Sequence, residues 1–577
     1  MSEFSYSSCV TFVTCYMNLY DEPFENKDVE WRFGHFKKIA RTGIQLCVFC
    51  SPDNKDYLEN FVLDYPNIKI MKYMNIQDTW AYNLVSTLSQ GESGKIDLPA
   101  HRNEPKDTIE YICMMHSKVE FLNIAIDENP FGSTHFAWID FNVAYIFKNN
   151  LYVEEYLRVL AQREFIPEFL AIPGCCEKQK PDAQIIDNIC WRFCGGFFIG
   201  SKNRIVEFYQ KYIEYFPVFL ETHKKLIWEV NFWAWLETNT DWTPPTWYKG
   251  DHNDSIIQIT TDICNRCLNN TTYMKTSYFY PPVETYLPSS GCHVFYKGQH
   301  ILNTRYVNYW YRPSGHCNIH HPHNWIISKN FMSILEKDEN DKLEPIDFIE
   351  MDDTTIGLKS HDACFFGLED IRLYVLDDEI HFICTNINYS PTGRNRMITG
   401  KYHIDSATYS ECRILHPPNK DSWCEKNWIP LIKKGIEKDE EFFIYKWWPF
   451  EIGKVNRERE QLDIVLSYKI NSPIFMKVRG STPFVDCDEG LVGLVHFSED
   501  TLPRHYYHIM VLLDKTTFQP LKYSDIFCFE QIGIEFCIGI WHDKREYHFW
   551  ISRMDRDPLY LKMDKDSLPL KFDFSIL

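Results

Sequence analysis

The chain has 577 residues, about three to four times the usual size of one domain, which predicts at least two domains with separate cores. Hydrophobic residues make up 45% and aromatic residues 16%, a composition that excludes a disordered chain. The formal net charge is -20, and no cluster of lysine and arginine is interleaved with aromatic residues, which excludes a nucleic-acid-binding protein.

The sequence also argues against a membrane or secreted protein. Its longest apolar runs fall well short of the roughly twenty residues that a membrane helix needs. The first residues, MSEFSYSSCVTFVTCY, lack the basic and apolar regions of a secretory signal, so we expect a cytoplasmic protein without a membrane span. The cysteines are scattered through strand-like runs, which predicts mostly reduced thiols.

The first half of the chain alternates strand-like and helix-like segments. The strand-like runs are TFVTCYM, GIQLCVFCS, IKIMKYM and THFAWIDFNVAYIF. Helical spacing occurs around residues 57–63, 109–126 and 204–216. This alternation predicts a layered α/β domain with the layout of a nucleotide-sugar-binding domain, which we assign to residues 1–285.

Candidate metal ligands follow the strand in THFAWIDFN. Asp140 ends the strand, and Asn142 lies two residues later on the same face. Such an oxygen pair can hold Mg²⁺ or Mn²⁺ against a diphosphate, although the amide of Asn142 is a weaker ligand than a second carboxylate. His252, in WYKGDHNDS, either completes the metal shell or is an ordinary surface histidine.

Four further residues of this half are candidates for the donor and acceptor sites. Lys118, in a helix-like segment, carries a compact ammonium group that can meet a pyrophosphate. Gly195 and Gly196 open a strand, where paired glycines either let a ligand approach the backbone or allow a helix to pack closely. Glu229, near the start of a helix, either orients an acceptor hydroxyl or is a solvated helix residue.

The order of these segments resembles a known family. TFVTCYMN, the helix with the lysine and NPF, AWIDF, GGFFIGS, WEVNFWA and YKGDH together resemble the HtrL/YibB family over roughly residues 8 to 260. That family looks like GT-A glycosyltransferases. The resemblance implies that Asp140 anchors the metal and diphosphate and that Gly195 and Gly196 flank the donor sugar. It also implies that Glu229 faces the acceptor and that His252 is a metal ligand.

From His293 onward the pattern changes to short strands. Runs such as HVFYKG, YVNYWY, EIHFICTNI and RMITGKYHI are broken by Gly, Pro, Asn and Asp, and few stretches suit an amphipathic helix. Repeated short strands over about 280 residues predict a β-propeller or a large sandwich for residues 286–577. We place the boundary in the stretch from Tyr280 to Gly291, which contains proline and serine.

Three segments of this β half carry candidate site residues. In GLEDIRL, Asp370 and Arg372 share one face of a strand, as an ion pair that either lines a pocket or lies on the surface of a blade. Arg479, in KVRGSTPFV, can clamp an anion or a sugar hydroxyl. Glu535 precedes a strand that contains glycine and can face a central funnel.

In series, these segments resemble the five-bladed β-propeller of glycoside hydrolase family 130, over roughly residues 292 to 570. The resemblance implies that Asp370 is a general acid and that Arg372 and Arg479 hold a phosphate or a sugar. Two positions depart from the family's motifs. Ser481 replaces the second glycine of an RGGTP-like segment, and GLEDIRL lacks the proline of EDPR.

These features together predict a multidomain protein: an α/β GT-A-like domain followed by an all-β five-bladed propeller. The expected function is a metal-dependent glycosyltransferase that moves a sugar from a nucleotide-sugar donor to a glycan or protein acceptor. The propeller would act on the glycan, which makes the enzyme bifunctional, or position it. The alternatives are a non-catalytic carbohydrate-binding propeller, a propeller like a mannoside phosphorylase or hydrolase, and an inactive scaffold in both halves.

Overall fold

The computed structural model describes residues 10–20, 27–90, 94–178, 183–264, 266–268, 273–361 and 364–576. The chain divides into two compact units, Met1–Asn265 and Arg266–Leu577. This division falls earlier than the boundary expected after residue 285, because two strands before that point pair with strands of the second unit. The first nine residues, on which the expected absence of a secretory signal partly rests, lie outside the described residues.

The first unit is an α/β unit, as the alternating pattern predicts. Its described helices are α1 (Val29–Ala40), α2 (Lys55–Val62), α3 (Trp80–Gln90), α4 (Ile109–His116), α5 (Lys118–Glu128), α6 (Asn150–Gln162), α7 (Lys202–His223) and α8 (Glu229–Asn239). Its described strands are β1 (Val10–Tyr16), β2 (Leu46–Cys50), β3 (Ile68–Tyr73), β4 (His135–Ile139), β5 (Leu170–Gly174), β6 (Phe197–Ser201) and β7 (Thr246–Lys249). Among the described helices, none combines the length and the apolar character needed to cross a bilayer.

These strands form one sheet in the order β3-β2-β1-β4-β6-β5-β7. β6 runs antiparallel to β4 and β5, whereas the other neighbouring strands are parallel. Every residue of β1, β2, β4, β5 and β6 is buried, which explains their nearly continuous apolar sequences. The chain places β2 and β3 on one side of β1 and β4 on the other, so a topological switch point lies between β1 and β4.

Aromatic side chains fill the core beside this sheet. Trp233 of α8 packs edge-on against Phe198 of β6, with ring centroids 5.3 Å apart. Phe208 of α7 lies 5.5 Å from Trp233, and Tyr212 follows one turn later, 5.5 Å from Phe208. The unusual aromatic content of the sequence therefore serves helix-to-sheet packing in this unit.

The second unit is all-β in its described part apart from short 3₁₀ turns. Its strands in the first portion are β8 (Arg266–Cys267), β9 (Tyr273–Thr276), β10 (Leu287–Tyr296), β11 (Gln299–Val307), β12 (Tyr309–Tyr311), β13 (Cys317–Ile319), β14 (Ile326–Lys337), β15 (Leu343–Pro345), β16 (Ile349–Glu350), β17 (Phe365–Phe366), β18 (Glu369–Leu376), β19 (Glu379–Asn386), β20 (Arg396–His403) and β21 (Thr408–Leu415). Those that follow are β22 (Ile429–Lys433), β23 (Glu440–Trp447), β24 (Phe450–Asn456), β25 (Gln461–Tyr468), β26 (Arg479–Gly480), β27 (Val485–Cys487), β28 (Gly490–Glu499), β29 (His505–Leu513), β30 (Pro520–Tyr523), β31 (Phe527–Cys528), β32 (Glu535–His542), β33 (Glu546–Arg553), β34 (Arg556–Asp564) and β35 (Phe572–Asp573).

The strands of this unit assemble into successive sheets along the chain. Three sheets are four-stranded, with the orders β18-β19-β20-β21, β22-β23-β24-β25 and β32-β33-β34-β9. A six-stranded sheet is built around β10-β11-β14-β15, an eight-stranded sheet around β26-β28-β29-β30-β35, and β12 pairs with β13. Sheets made mainly of consecutive antiparallel strands are typical of propellers, so this region is propeller-like. β9, from the start of the unit, completes the sheet formed by its end.

Candidate functional sites

A buried lysine joins two carboxylates in the first unit. Lys118 begins α5, and its Nζ lies 3.1 Å from Asp140 Oδ1 and 3.1 Å from Glu229 Oε1. Nζ also donates to the Gly195 carbonyl oxygen at 2.8 Å. Burial alone would lower the pKa of Lys118, but the two carboxylates outweigh it and hold the pKa above its usual value. The ammonium group is therefore charged at neutral pH.

The two carboxylates reach Lys118 from different elements. Asp140 directly follows β4, and its Oδ1 also accepts a hydrogen bond from Trp138 Nε1 at 2.7 Å. Glu229 is the first residue of α8, where the positive end of the helix dipole favours a carboxylate. The Glu229 side chain is 8% exposed and that of Asp140 is 36% exposed. Asp140 is therefore the carboxylate through which this cluster reaches solvent.

Gly195 and Gly196 lie against the same cluster. A Cβ atom on Gly195 would overlap Glu229 Oε1, and one on Gly196 would lie 3.6 Å from Asp140 Oδ2. The Asp140 backbone N–H donates to the Gly196 carbonyl oxygen at 2.9 Å. Close packing of the loop before β6 therefore explains the need for glycine at position 195. This packing requires no bound ligand.

A cleft of about 410 Å³ opens beside Asp140. It is lined by Cys15 and Tyr16 at the end of β1 and by Asp140 and Asn142 after β4, so it lies at the carboxyl ends of the two strands that flank the switch point. In open α/β sheets, ligands bind at this place. The structure thus brings the predicted pair Asp140 and Asn142 to the position where a ligand is expected.

Three cationic side chains that we did not single out from the sequence line the same cleft: Lys27, Arg32 and Lys106. The Arg32 guanidinium lies over the Tyr16 ring, 5.7 Å from its centroid. Within the described part of the chain, Arg32 has no carboxylate partner. These residues are far apart in sequence, and only the position of Arg32 in the helix after β1 could have drawn attention to it.

The expected metal ligands fit a divalent cation only in part. Asp140 Oδ2 has no hydrogen-bond partner among the described residues, and Asn142 lines the same cleft, so two oxygen ligands are available for Mg²⁺ or Mn²⁺. His252 groups instead with Cys175 and Cys194, with the three ligand atoms within 4.8 Å of one another. Its ring packs edge-on against another aromatic side chain, that of Trp191.

A second cluster of buried charges lies in the all-β unit. Arg305 of β11 is 7% exposed, and its Nη1 donates to Asp370 Oδ1 at 2.8 Å. Its Nε donates to Ser328 Oγ at 2.9 Å, and its Nη2 lies 3.8 Å from Glu369 Oε2. Lys426 approaches the same Glu369 carboxylate at 3.7 Å. Arg305 was missed in the sequence, where it is one polar residue in a strand that is buried almost throughout.

Asp370 and Arg372 do not form the side-chain ion pair expected from strand alternation. Asp370 has a φ of 53°, and the register of β18 against β19 shifts between Glu369 and Arg372, so a bulge interrupts the alternation there. Arg372 donates instead to the Asp370 backbone carbonyl at 3.1 Å, to Asn427 Oδ1 at 2.9 Å and to the Ser481 carbonyl at 2.6 Å. These bonds join the GLEDIRL and KVRGSTPFV segments.

Asp370 and Asp555 have pKa values displaced in opposite directions. Burial alone would raise the pKa of Asp370, but the charges of Arg305, Arg372 and Lys426 outweigh it and leave the pKa below its usual value. Burial raises the pKa of Asp555, and Arg305 offsets only part of this effect. Asp555 Oδ2 accepts a hydrogen bond from the Tyr309 hydroxyl at 3.3 Å. Asp370, the expected general acid, is therefore ionised at neutral pH.

The remaining two predicted residues of this unit, Arg479 and Glu535, differ in their exposure to solvent. Arg479 is exposed at the start of β26. Glu535 is fully buried, and its carboxylate accepts backbone N–H bonds from Phe529, Glu530 and Gln531 at 2.8, 2.8 and 3.0 Å. Burial raises the pKa of Glu535 to about 7 although these bonds lower it. Because its oxygens are used by the preceding loop, Glu535 holds that loop rather than facing a funnel.

Comparison with known families gives a match for the first unit. Residues 8–224 match the family model HtrL_YibB, described as a bacterial protein of unknown function. The matched segment includes Lys118, Asp140, Gly195 and Gly196 and ends before Glu229. The expected likeness to that family is thus confirmed over this segment. None of the curated proteins compared with the chain matches it.

Solved structures similar to this chain include three carbohydrate-active enzymes. They are β-1,2-mannobiose phosphorylase from Listeria innocua (12% identity, covering 50% of this chain and 93% of that chain, TM-score 0.33), a mannose phosphorylase from Leishmania mexicana in complex with phosphate ion (14%, 53% and 93%, TM-score 0.33), and a protein of the GH130 family, whose mannoside phosphorylases include hydrolases that target β-1,2 mannosidic linkages in Candida mannan (12%, 49% and 85%, TM-score 0.32). Structures described as mannoside phosphorylases and as GH130 proteins are therefore among those to which this chain is similar.

Proposed function

We propose that the first unit is a glycosyltransferase with a GT-A-like fold that binds a nucleotide-sugar donor in the cleft beside Asp140 and transfers the sugar to a glycan or protein acceptor. The observation that carries this proposal is the position of Asp140, which belongs both to the buried Lys118 cluster and to a cationic cleft at the switch point of the sheet. A cleft of about 410 Å³ lies within the usual range for small-molecule sites.

The lining of the cleft suits a nucleoside diphosphate. Lys27, Arg32 and Lys106 offer positive charge to a diphosphate, and a guanidinium can bind two phosphate oxygens at once. The rings of Tyr16 and Tyr111 line the same cleft and hold two of these cations over their faces, Arg32 at 5.7 Å and Lys106 at 4.9 Å from the ring centroids. The likeness to GT-A enzymes inferred from the sequence agrees with these features.

Within this proposal each residue of the Lys118 cluster has a defined task. Asp140 and Asn142 hold the divalent cation, which supplies charge neutralisation of the diphosphate when it is bound. Lys118 holds the Asp140 carboxylate in place, since its charged and buried ammonium group lies 3.1 Å from Asp140 Oδ1. Glu229 is a positioning residue that holds Lys118, because its carboxylate is buried under Gly195.

Asp140→Asn tests this function. The amide oxygen can still accept from Trp138 and Lys118, so the fold should persist, while the charge that faces the cleft is lost. We expect nucleotide-sugar turnover by the full chain, measured as release of nucleoside diphosphate with Mn²⁺ or Mg²⁺, to fall at least about 100-fold. Chelation by EDTA should have a similar effect that added Mn²⁺ reverses.

The matched control is Asp127→Asn, an exposed aspartate of the same unit at the end of α5. Its turnover should equal that of the wild type. Equal turnover of wild type and Asp140→Asn across a panel of nucleotide sugars would contradict the proposal. So would the failure of every nucleoside diphosphate to bind the wild-type chain in calorimetry.

A second activity is favoured by the paired carboxyl groups of the other unit. We propose that this unit acts on a glycosidic bond by hydrolysis or phosphorolysis, with Asp555 as the proton donor and Asp370 as the ionised partner. The supporting observation is that the pKa of Asp370, which Arg305 contacts, lies below its usual value, while burial holds the pKa of Asp555 above its usual value although Arg305 offsets part of this effect. The exposed Arg479 remains available for a phosphate or a sugar hydroxyl.

Asp555→Asn tests this second activity. Release of sugar from a panel of glycosides that includes mannosides, with and without phosphate, should fall at least about 100-fold in the variant. Glycan binding should be retained, and Asp421→Asn, at a strongly exposed aspartate, should behave as the wild type. Glycan binding by the wild type without any turnover would instead identify a non-catalytic carbohydrate-binding unit.

We infer further that the five larger sheets of this unit are the five blades expected from the sequence. Each of these sheets, or a segment beside it, contributes one residue to the cluster around Asp370. These residues are Arg305, Asp370 itself, Asn427, Ser481 and Asp555. A central meeting point of this kind is typical of a propeller axis.

A further inference from the structure

The cysteine and histidine cluster of the first unit has the dimensions of a metal site. Cys175 Sγ and Cys194 Sγ lie 3.6 Å apart, and both lie within 4.8 Å of a ring nitrogen of His252. Two zinc–sulfur bonds of about 2.3 Å at a tetrahedral angle separate the sulfur atoms by about 3.8 Å. The two thiols are thus already spaced almost as a tetrahedral ion requires.

Strand ends and backbone hydrogen bonds bring these three side chains together. Cys175 directly follows β5, and His252 lies shortly after β7, which runs parallel to β5 and ends beside it. The Cys175 N–H donates to the Trp191 carbonyl at 2.9 Å and the Cys194 N–H to the Pro173 carbonyl at 2.7 Å, so the loop before β6 is held against the end of β5. The ligand atoms converge because three segments end at one edge of the sheet.

The types of ligand indicate which ion fits. Two thiolates and one imidazole are soft to intermediate donors, which select zinc over the hard cations Mg²⁺ and Mn²⁺. Asp251 Oδ1 lies 3.4 Å from Cys175 Sγ and accepts the His252 backbone N–H at 2.7 Å, so it also orders the segment that carries the histidine. The Trp191 ring packs against the His252 ring, with centroids 4.4 Å apart, and limits its orientation.

We propose that Cys175, Cys194 and His252 bind a zinc ion, with Asp251 or a water molecule at the fourth position. The ion ties the ends of β5 and β7 to the loop that carries Gly195 and so steadies the backbone carbonyl to which Lys118 donates. This is a structural site separate from the oxygen ligands Asp140 and Asn142. It does not depend on the proposed transferase activity.

The zinc content of the full chain tests the proposal. Reduced protein is equilibrated with zinc, passed through gel filtration and measured by mass spectrometry of the metal. Compared with wild type, Cys175→Ser and Cys194→Ser should each lose about one equivalent of zinc per chain. Cys176→Ser, at the exposed neighbouring cysteine, is the matched control and should keep it.

Cobalt substitution of the wild-type chain gives a second readout, which detects thiolate ligation without a cysteine variant. Bound Co²⁺ should show thiolate-to-cobalt charge-transfer absorption, and His252→Ala should weaken cobalt affinity at least about 10-fold. Absence of both zinc and this absorption in reduced wild type would overturn the proposal. So would equal loss of zinc in Cys176→Ser, or a Cys175–Cys194 disulfide that persists in the zinc-equilibrated protein. Neither readout measures activity, so failure of the transferase proposal leaves this test intact.

Discussion

Lys118→Met is expected to destabilise the first unit by roughly 3–5 kcal/mol, because it leaves the buried Glu229 carboxylate without its ion-pair partner. The Gly195 carbonyl loses its hydrogen-bond donor at the same time. For a unit of this size, the loss corresponds to a fall in Tm of roughly 10 °C. Differential scanning calorimetry of the full chain measures it.

A matched control separates burial from the mere presence of an ion pair. Lys211 of α7 also lies between two carboxylates, Asp241 at 2.6 Å and Glu214 at 3.1 Å, but both of these are well exposed. Lys211→Met should therefore lower Tm by only a small fraction of the Lys118→Met effect, since exposed pairs contribute little. In the double variant Lys118→Met/Glu229→Gln, part of the lost stability should return. Equal losses in the two lysine variants would contradict the role assigned to Lys118.

Much of the first unit follows from sequence pattern. Runs such as TFVTCY and HFAWI are strands because they are continuous, apolar and rich in residues that suit buried parallel sheets. Asp140 could be singled out because a carboxylate directly after such a run lies at the edge where ligands bind. Lys118 and Glu229 were singled out for a ligand, yet in the structure they contact each other at 3.1 Å, and Lys118 also contacts Asp140 and the Gly195 carbonyl.

Other features depend on contacts that no local pattern contains. Arg305 and Asp555 lie about 250 residues apart and meet only because their sheets converge, so neither is visible as a motif. The bulge at Asp370 turns its side chain away from the face that strand alternation predicts. Glu535 is engaged by the three backbone N–H groups of a loop whose path the sequence does not specify.

The boundary between the units also depends on contacts between residues that are distant in the sequence. The stretch from Tyr280 to Gly291 has the composition of a linker, but pairing decides where a unit begins. β8 and β9 precede that stretch and pair with β31 and β34, near the end of the chain. The sequence of a short strand does not indicate which distant strand it pairs with.

Arg305→Met is expected to destabilise the second unit by roughly 3–5 kcal/mol at neutral pH, because Asp370 then stays buried beside Glu369 without its closest cation. The effect should depend on pH. In the wild type the pKa of Asp370 lies below its usual value, so this carboxylate contributes stability that is present above the unfolded-state pKa and lost as pH falls through the folded-state pKa. Without Arg305, burial raises the folded-state pKa, and ionisation of Asp370 then costs stability as pH rises above about 4.

Urea denaturation at about pH 5 and about pH 7.5 measures this dependence, and the deficit of Arg305→Met should be larger at the higher pH. Arg305→Met/Asp370→Asn should recover part of the loss and show a weaker pH dependence, because the buried charge is gone. Arg459→Met is the matched control: its partner Asp463 lies at 2.6 Å on the surface, where water stabilises the carboxylate after the arginine is removed. A deficit of equal size at both pH values, or one no larger than that of Arg459→Met, would show that Arg305 serves packing and does not hold the charge of Asp370.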